Sequence, residues 1–306
     1  MRFVQHKKEA YWFYRFLSIF YDKLVNPLFW TRKMRDDCQE LAEFNSKDLS
    51  VIDVGSGTGF NTEGIVRFVD AKNITCVDQS PHQISHARKK MALADCTFIV
   101  GDAEHLPAES NRFDRYISAG SIEYWPNPQQ GLNEAFRVIK PGGLALMIGP
   151  LEPKGWLARW LATTWMLFPK DEEYKTWMQK AGFSDIRVRY TAPHWVSANE
   201  KYGIAIAGKK PSQVLESKTL PSAIPLVEEN EKGGFLRTLL LIWRVTIGSL
   251  AGFLFIPIAL LGYLFSIGKQ KDIPPNYRER LNGYQVFALV VIIGIILTFL
   301  WWLIYR

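Results

Sequence analysis

The 306-residue sequence predicts an α/β fold: a doubly wound, seven-stranded sheet with helices on both faces, followed by a two-helix membrane hairpin. Three observations carry that expectation. From Ser50 to Pro150, short runs of β-formers alternate with helical patterns, the rhythm of a parallel sheet with right-handed crossovers. The first run ends in Gly55-Ser56-Gly57-Thr58-Gly59, a turn with almost no side chains. Near the C-terminus, Val245–Ile267 and Val286–Ile304 hold no charged residue over 23 and 19 residues. At about 1.5 Å per residue, both lengths span a hydrocarbon core of about 30 Å.

Residues 1–45 read as an aromatic cap or interface segment. Arg2, His6, Lys7 and Lys8 precede Tyr11, Trp12, Phe13, Tyr14, Phe16, Phe20 and Tyr21. Such a helix suits a core, a cleft lid or a membrane interface, where Trp and Tyr are favoured and Lys and Arg meet anionic lipid. Asn26-Pro27 ends it, because proline disfavours the α conformation in the residue before it. A more polar helix is expected from Thr31 to Phe44.

Residues 46–210 form the expected catalytic domain. Its strands are predicted at Ser50–Val54, Ile74–Asp78, Thr97–Gly101, Asp114–Ser118 and Leu144–Gly149. Helices fall near Thr58–Val69, Pro81–Met91 and Pro128–Val138. Lys140-Pro141-Gly142-Gly143 is a turn feeding the fifth strand. Asp171–Ala181 is a helix stopped by Gly182, and Ile186–Tyr190 and Tyr202–Ala207 close the sheet. Gly155–Phe168 carries Trp156, Trp160 and Trp165; an apolar substrate wall, a membrane-resting surface and a packed helix all fit it.

Residues 211–235 have the proline, glycine and glutamate content of a linker, and 236–306 form the expected anchor. Trp301, Trp302 and Tyr305 stand where an interfacial belt belongs. The loop Gly268–Tyr284 carries Lys269, Lys271, Arg278 and Arg280, which oppose Arg237 and Arg244, so charge alone leaves the topology open.

Composition excludes some classes. Cys38, Cys76 and Cys96 are odd in number and scattered, so neither a disulfide framework nor a zinc site is indicated, and no metal is expected. A net charge of +7 is modest, and no nucleic-acid partner is expected. No cleavable signal peptide is visible, because Arg15 interrupts the aromatic run Tyr11–Tyr21.

The chemistry gathers at the carboxyl ends of the predicted strands, where ligands of such sheets bind. The glycine turn lets a ligand approach backbone N–H groups at a helix start. Asp78 lies 25 residues after Asp53, a spacing suited to a ribose hydroxyl pair. The G-x-G-x-G spacing differs from the G-x-G-x-x-G of dinucleotide sites and points to a nucleoside ligand such as S-adenosylmethionine. Candidate ligand-binding residues are Asp53, Gly55, Gly57, Gly59, Asp78, Gln79, Asp102, Ala103 and Ser118. Asp78 and Gln79 suit ribose, Gly101-Asp102-Ala103 suits an adenine amino group, and Asp53 suits a water or the methionine ammonium. Ser118–Trp125 would face the transferred methyl. There Glu123 is a candidate base for a phenolic proton, and Tyr124 or Trp125 would attract sulfonium charge by cation–π interaction. His82 and His194 are further candidate bases.

Val51–Phe60, Val77–Gln83, Gly101–Glu104, Ser118–Pro126 and Lys140–Gly143 resemble class I S-adenosylmethionine-dependent methyltransferases. Arg2–Trp30, Met34–Asp37 and Ser118–Pro126 resemble the plant-type methyltransferases of 2-methyl-6-phytyl- and 2-methyl-6-solanyl-1,4-benzoquinol. The resemblance covers roughly residues 1–208. It implies a Rossmann-like domain, S-adenosylmethionine as donor and C-methylation of a prenylated quinol ring in tocopherol and plastoquinone synthesis. It also implies a catalytic domain on the cytoplasmic or stromal face of a membrane, the plastid inner envelope in a plant or alga. Two departures stand out: no transit peptide precedes the chain, and a two-span hairpin replaces a simpler membrane tail. Two other functions fit the residues: methylation of another lipid such as a sterol or phospholipid, and non-catalytic S-adenosylmethionine binding at a membrane.

Overall fold

A computed structural model describes residues 26–156, 159, 167–196, 201–212, 257, 259–265, 273–278 and 280–305, with 239, 243 and 246. The expected aromatic helix before Asn26, the linker and most of the first apolar stretch lie outside the described residues. So do Trp160 and Trp165.

Seven strands form one sheet: β1 Val51–Val54, β2 Ile74–Asp78, β3 Thr97–Val100, β4 Phe113–Ala119, β5 Ile139–Pro150, β6 Ser184–Thr191 and β7 Gly203–Lys209. Their order is β3-β2-β1-β4-β5-β7-β6. The first five are mutually parallel, whereas β7 runs antiparallel to both β5 and β6. The order reverses between β1 and β4, and the carboxyl ends of those strands splay there into a crevice.

Side-chain alternation along each strand divides the core in two. Ile52, Val54, Tyr116, Ala145, Met147, Ile204 and Ile206 pack on one face. Val51, Ile117, Leu144, Leu146, Ile148, Ala205 and Ala207 pack on the other. All four β1 residues are buried, as a central parallel strand requires.

The helices are α1 Asn26–Phe29, α2 Arg32–Gln39, α3 Thr62–Ile65, α4 Pro81–Ala87, α5 Pro128–Val138, α6 Asp171–Ala181 and α7 Gly283–Tyr305. Their starts follow capping chemistry. Thr31 accepts a bond from the Met34 N–H at 3.2 Å, and Asn127 from the Gln130 N–H at 3.2 Å. Ser80 accepts from the Gln83 N–H at 3.3 Å, just before Pro81. Gly182, at φ +102°, ends α6.

Two elements differ from expectation. The helix expected over Thr58–Val69 is regular only at Thr62–Ile65, because Gly59 stands at φ +85° and cannot belong to it. The turn expected at Lys140–Gly143 is absorbed into β5, with a register shift against β4 between Phe113 and Arg115.

At the C-terminus, α7 is a 23-residue helix without a charged side chain. Leu289 of α7 packs with Leu28, Ala259 and Leu260. The Trp195 indole N–H donates to the Leu28 carbonyl at 2.7 Å and ties this cluster to the turn after β6. Several α7 side chains lie outside those described. Among the described residues no helix is long and apolar enough to cross a membrane, and most of the first span expected for the hairpin lies outside those residues.

Candidate active site

A cleft of about 1270 Å³, mouth included, opens beyond the carboxyl ends of β1, β2 and β4. The glycine loop forms its floor. Gly55, Gly57 and Gly59 all have positive φ, which a residue with a Cβ adopts only with strain. Their surroundings separate their roles. A Cβ on Gly55 would stand 2.1 Å from Ser121 Oγ, and one on Gly59 2.4 Å from Leu93 Cδ1. A Cβ on Gly57 would meet no atom within 4 Å and would stand in the cleft. Gly55 and Gly59 therefore close the fold, and Gly57 leaves room for a ligand.

Four of the loop's five N–H groups are already used. Gly55 and Ser56 donate to the Val77 carbonyl at 2.8 and 3.1 Å, and Gly59 donates to the Ser56 carbonyl at 2.8 Å. Gly57 donates to Asp78 Oδ2 at 2.8 Å. The turn thus offers closeness and a fixed carboxylate rather than the row of spare donors its glycines suggest.

Asp78 ends β2 and lines the cleft. Its Oδ1 accepts the Ser80 N–H at 2.8 Å, so both oxygens are oriented while lone pairs remain for a ligand's hydroxyls. Burial holds its pKa above the usual carboxylate value, against the bonds from Ser80 and Gly57. Gln79, Asp102 and Ala103 line the same end of the cleft, and Asp102 Oδ1 accepts the Glu104 N–H at 3.0 Å.

Asp53 sits behind the cleft wall. It is fully buried and accepts bonds from Asn61 Nδ2 at 2.9 Å and Thr62 Oγ1 at 2.6 Å. Burial pushes its pKa up to about 6 despite those bonds. Gln39 Nε2 reaches Asn61 Oδ1 at 2.8 Å, so the network joins α2 to the glycine loop. Asp53 anchors that loop from below. Ser118 is likewise fully buried, with its hydroxyl unpartnered, and does not line the cleft.

The side opposite Asp78 is aromatic. Tyr124, Trp125 and Trp30 line it with Ser121 and Ile148. Trp125 Nε1 donates to Ser121 Oγ at 2.9 Å and fixes that hydroxyl beside the glycine loop. Glu123 lies one layer deeper, with Oε2 buried and unpartnered, and burial pushes its pKa up to about 8. Burial thus favours its protonated form. His82 is exposed on α4, its Nε2 3.3 Å from that of His86, and does not line the cleft. His194 packs against Tyr263 at 5.2 Å, also away from the cleft lining, and burial lowers its pKa.

Trp30, Arg35, Ser56, Gln83 and Ser121 line the cleft and fall within motif stretches, yet they are not among the candidate ligand-binding residues named from the sequence. Trp30 and Arg35 lie before β1 in sequence; Arg35 reaches the cleft from α2, bonded to the Phe60 carbonyl, and Trp30 just before α2 packs against Tyr202.

The residues present fit an adenosyl ligand. Ser56 Oγ and Gln83 Oε1 are buried, lack partners and belong to residues lining the cleft. Gly57 leaves the space that a side chain would fill. Among the described residues no group of His, Cys, Asp or Glu stands together as a metal site.

Comparison with known proteins agrees with this geometry. Residues 52–147 match a family described as "Methyltransferase domain". The rice protein "2-methyl-6-phytyl-1,4-hydroquinone methyltransferase 1, chloroplastic" is 57% identical over 203 residues, 66% of this chain and 62% of its own length. This chain thus spans about three fifths of that relative. The Arabidopsis thaliana "2-methyl-6-phytyl-1,4-hydroquinone methyltransferase, chloroplastic" is 48% identical over 263 residues, 84% of this chain and 77% of its own length. The solved structure of the "[4+2]-Cyclase SpnF" superposes with a TM-score of 0.57 at 18% identity, over 69% of this chain and 98% of that one, which shows a shared fold. Identity of 48% across 77% of a relative's length settles the grouping: the chain belongs to the 2-methyl-6-phytyl-1,4-hydroquinone methyltransferase family of S-adenosylmethionine-dependent enzymes.

Proposed function

We propose that the chain methylates a ring carbon of a prenylated benzoquinol, 2-methyl-6-phytyl-1,4-benzoquinol or its solanyl counterpart, in prenylquinone synthesis. The observation that carries this reading is the pairing of an adenosyl-shaped cleft with an aromatic wall, in a chain 48–57% identical to relatives named for that quinol. Bound S-adenosylmethionine supplies an electrophilic methyl on a sulfonium.

The chain's own groups supply placement. Asp78, aligned by Gly57 and Ser80, accepts the ribose hydroxyls, with Gln79 beside it. Asp102 and Ala103 border the adenine, and Gly57 keeps the floor clear. Gly59, Asp53 and Ser118 shape the site from behind. Tyr124 and Trp125 hold the quinol ring against the donor and attract its positive charge. Holding the two reactants in line supplies the larger share of the acceleration. Glu123, when ionised, would take the acceptor's phenolic proton and raise electron density at the adjacent ring carbon; as the S–CH3 bond breaks and the C–CH3 bond forms, the ring carbon's own proton would leave to solvent and Glu123 would return a proton to the phenolate. Its depth calls for a water or a small shift of the Ser121–Tyr124 turn to complete that transfer. His82 lies outside this constellation.

The acceptor's long tail calls for a membrane. The exposed apolar residues Phe287, Val290, Ile295, Leu297 and Trp301 of α7 suit lipid, as does Trp156, which is 81% exposed. In this reading the segment 236–306 anchors the domain, and 1–45 helps form the entrance. The plastid is the compartment of the relatives named chloroplastic, and it is the proposed one here.

The test is methyl transfer from labelled S-adenosylmethionine to 2-methyl-6-phytyl-1,4-benzoquinol in lipid vesicles, with a sterol and a phospholipid as competing acceptors. Label in the quinol supports the reading. Donor binding with label only in another lipid, or in none, contradicts it.

A further inference from the structure

Of the described residues lining the cleft, Arg35 is the single cation. The donor proposed above carries a carboxylate on its methionine part, and every other charged lining residue is an acid: Asp78 and Asp102. Arg35 enters from α2, over the glycine loop, two strands away from Asp102. Its Nη1 donates to the Phe60 carbonyl at 2.9 Å, and its guanidinium lies 4.8 Å from the centre of the Phe60 ring. Its Nε donates to Asp36 Oδ1 at 2.7 Å. These bonds fix the plane of the guanidinium and leave its Nη2 group for a ligand.

Asp36 is where this arrangement meets the C-terminal segment. It is 8% exposed, and its second oxygen accepts from Arg67 and from the Tyr277 hydroxyl, the latter at 2.9 Å. Tyr277 belongs to the short turn Pro275–Tyr277, which precedes α7. Burial alone would raise the Asp36 pKa, but Arg35, Tyr277 and Arg67 together hold it below the usual value. A buried carboxylate therefore spans the cleft cation and a residue 241 positions away in the chain.

We infer that Arg35 binds the donor's carboxylate and that Tyr277, acting through Asp36, is a positioning residue for Arg35, so the C-terminal segment helps build the donor site. The inference rests on the donor named above. Coupling of this kind is reciprocal, so donor binding also strengthens the Tyr277 contact. The segment then does more than hold the domain at a membrane: a chain with the segment displaced binds its donor less tightly.

The experiment is calorimetry on the full chain in detergent, with no acceptor, comparing S-adenosylmethionine with its decarboxylated analogue, which lacks only the carboxylate. Arg35→Gln weakens S-adenosylmethionine by about 10- to 100-fold, the range for a charge-assisted bond, and leaves the analogue within about threefold. Arg35→Lys recovers part of the loss. Tyr277→Phe gives a smaller loss, about threefold to tenfold, again confined to the carboxylated ligand. The double variant Arg35→Gln/Tyr277→Phe is no weaker than Arg35→Gln alone, because both act through one contact. Equal losses for both ligands, which a merely structural role produces, overturn the inference, as does an unchanged affinity in Arg35→Gln. Additive losses overturn the Tyr277 link. Failure of the wild-type chain to bind S-adenosylmethionine refutes the donor itself, a separate outcome.

Discussion

Single residues decide whether the cleft is open, and the three glycines do so differently. Gly57→Val puts a branched side chain into the ligand's space, so donor binding is lost while the fold persists at a cost of about 1–2 kcal/mol for the positive φ. Gly55→Ala drives a methyl into Ser121 Oγ, so its main effect is on the unfolding midpoint and on Ser121. Calorimetry and thermal melts on the two variants separate these effects; equal loss of stability in both would contradict the assignment. The motif spacing made all three glycines legible as a group. Which of them faces the ligand depended on neighbours such as Leu93 and Ser121, which no local pattern reveals.

Glu123 is a second residue-scale case. Its pKa is raised to about 8 from an ordinary value of 4.5, so the folded chain favours the protonated form. Its contribution to stability is full below about pH 4.5 and is lost as pH rises through about 8. Glu123→Gln removes this titration. Melting midpoints of the variant fall less than those of the wild type between those limits, and above pH 8 the variant is the more stable of the two. Identical pH profiles would show that Glu123 does not titrate in this range. As the proposed base, Glu123 also makes the wild-type rate rise with pH toward about 8, and Glu123→Gln lowers that rate by about 10²- to 10⁴-fold.

At the scale of elements, the strongest signals were those with complete start and stop chemistry. Asn127-Pro128 and Gly182 mark helix ends, and α5 and α6 occupy the ranges their patterns imply. Asn127→Ala removes the bond to the Gln130 N–H and costs about 1 kcal/mol, measurable by denaturant unfolding. An unchanged midpoint would show that Pro128 alone starts the helix. The helix after β1 was harder to read. Its residues Asn61 and Thr62 turn their side chains down to Asp53, a tertiary demand invisible in a window of sequence. The same reason hid Asp53's role: an acid at a strand end suits a ligand, and only folding shows that Asn61 and Thr62 already occupy both oxygens. Thr62→Val removes one of those bonds within a buried network. It lowers stability by about 1–3 kcal/mol and reduces donor affinity through the glycine loop. Full affinity in a destabilised variant would uncouple Asp53 from the site.

At the scale of the whole molecule, the proposed acceptor must reach a donor site at the sheet edge. The sheet order and the cleft's position follow from βα alternation, which was plain in the sequence. The N-terminal contribution of Trp30 and Arg35 was not, because both are remote from the glycine motif in sequence and reach the cleft only through tertiary packing. Nor was the contact from Tyr277 to Asp36, which spans nearly the whole chain. Removing residues 236–306 leaves a domain whose β1–β7 core is complete, but transfer to quinol in vesicles falls by at least about tenfold. The effect is larger for a full prenyl tail than for a short-chain quinol. Full activity of the truncated chain on vesicles would refute the anchoring role.

The most direct measurement is the position of the methyl in the product. With S-adenosylmethionine labelled at the methyl carbon and 2-methyl-6-phytyl-1,4-benzoquinol in vesicles, NMR of the extracted lipid shows where the label resides. The expected product carries one labelled methyl on a ring carbon beside a hydroxyl, with both phenolic oxygens unmethylated. A labelled methoxy group, or an unlabelled quinol beside a donor-saturated chain, would contradict it.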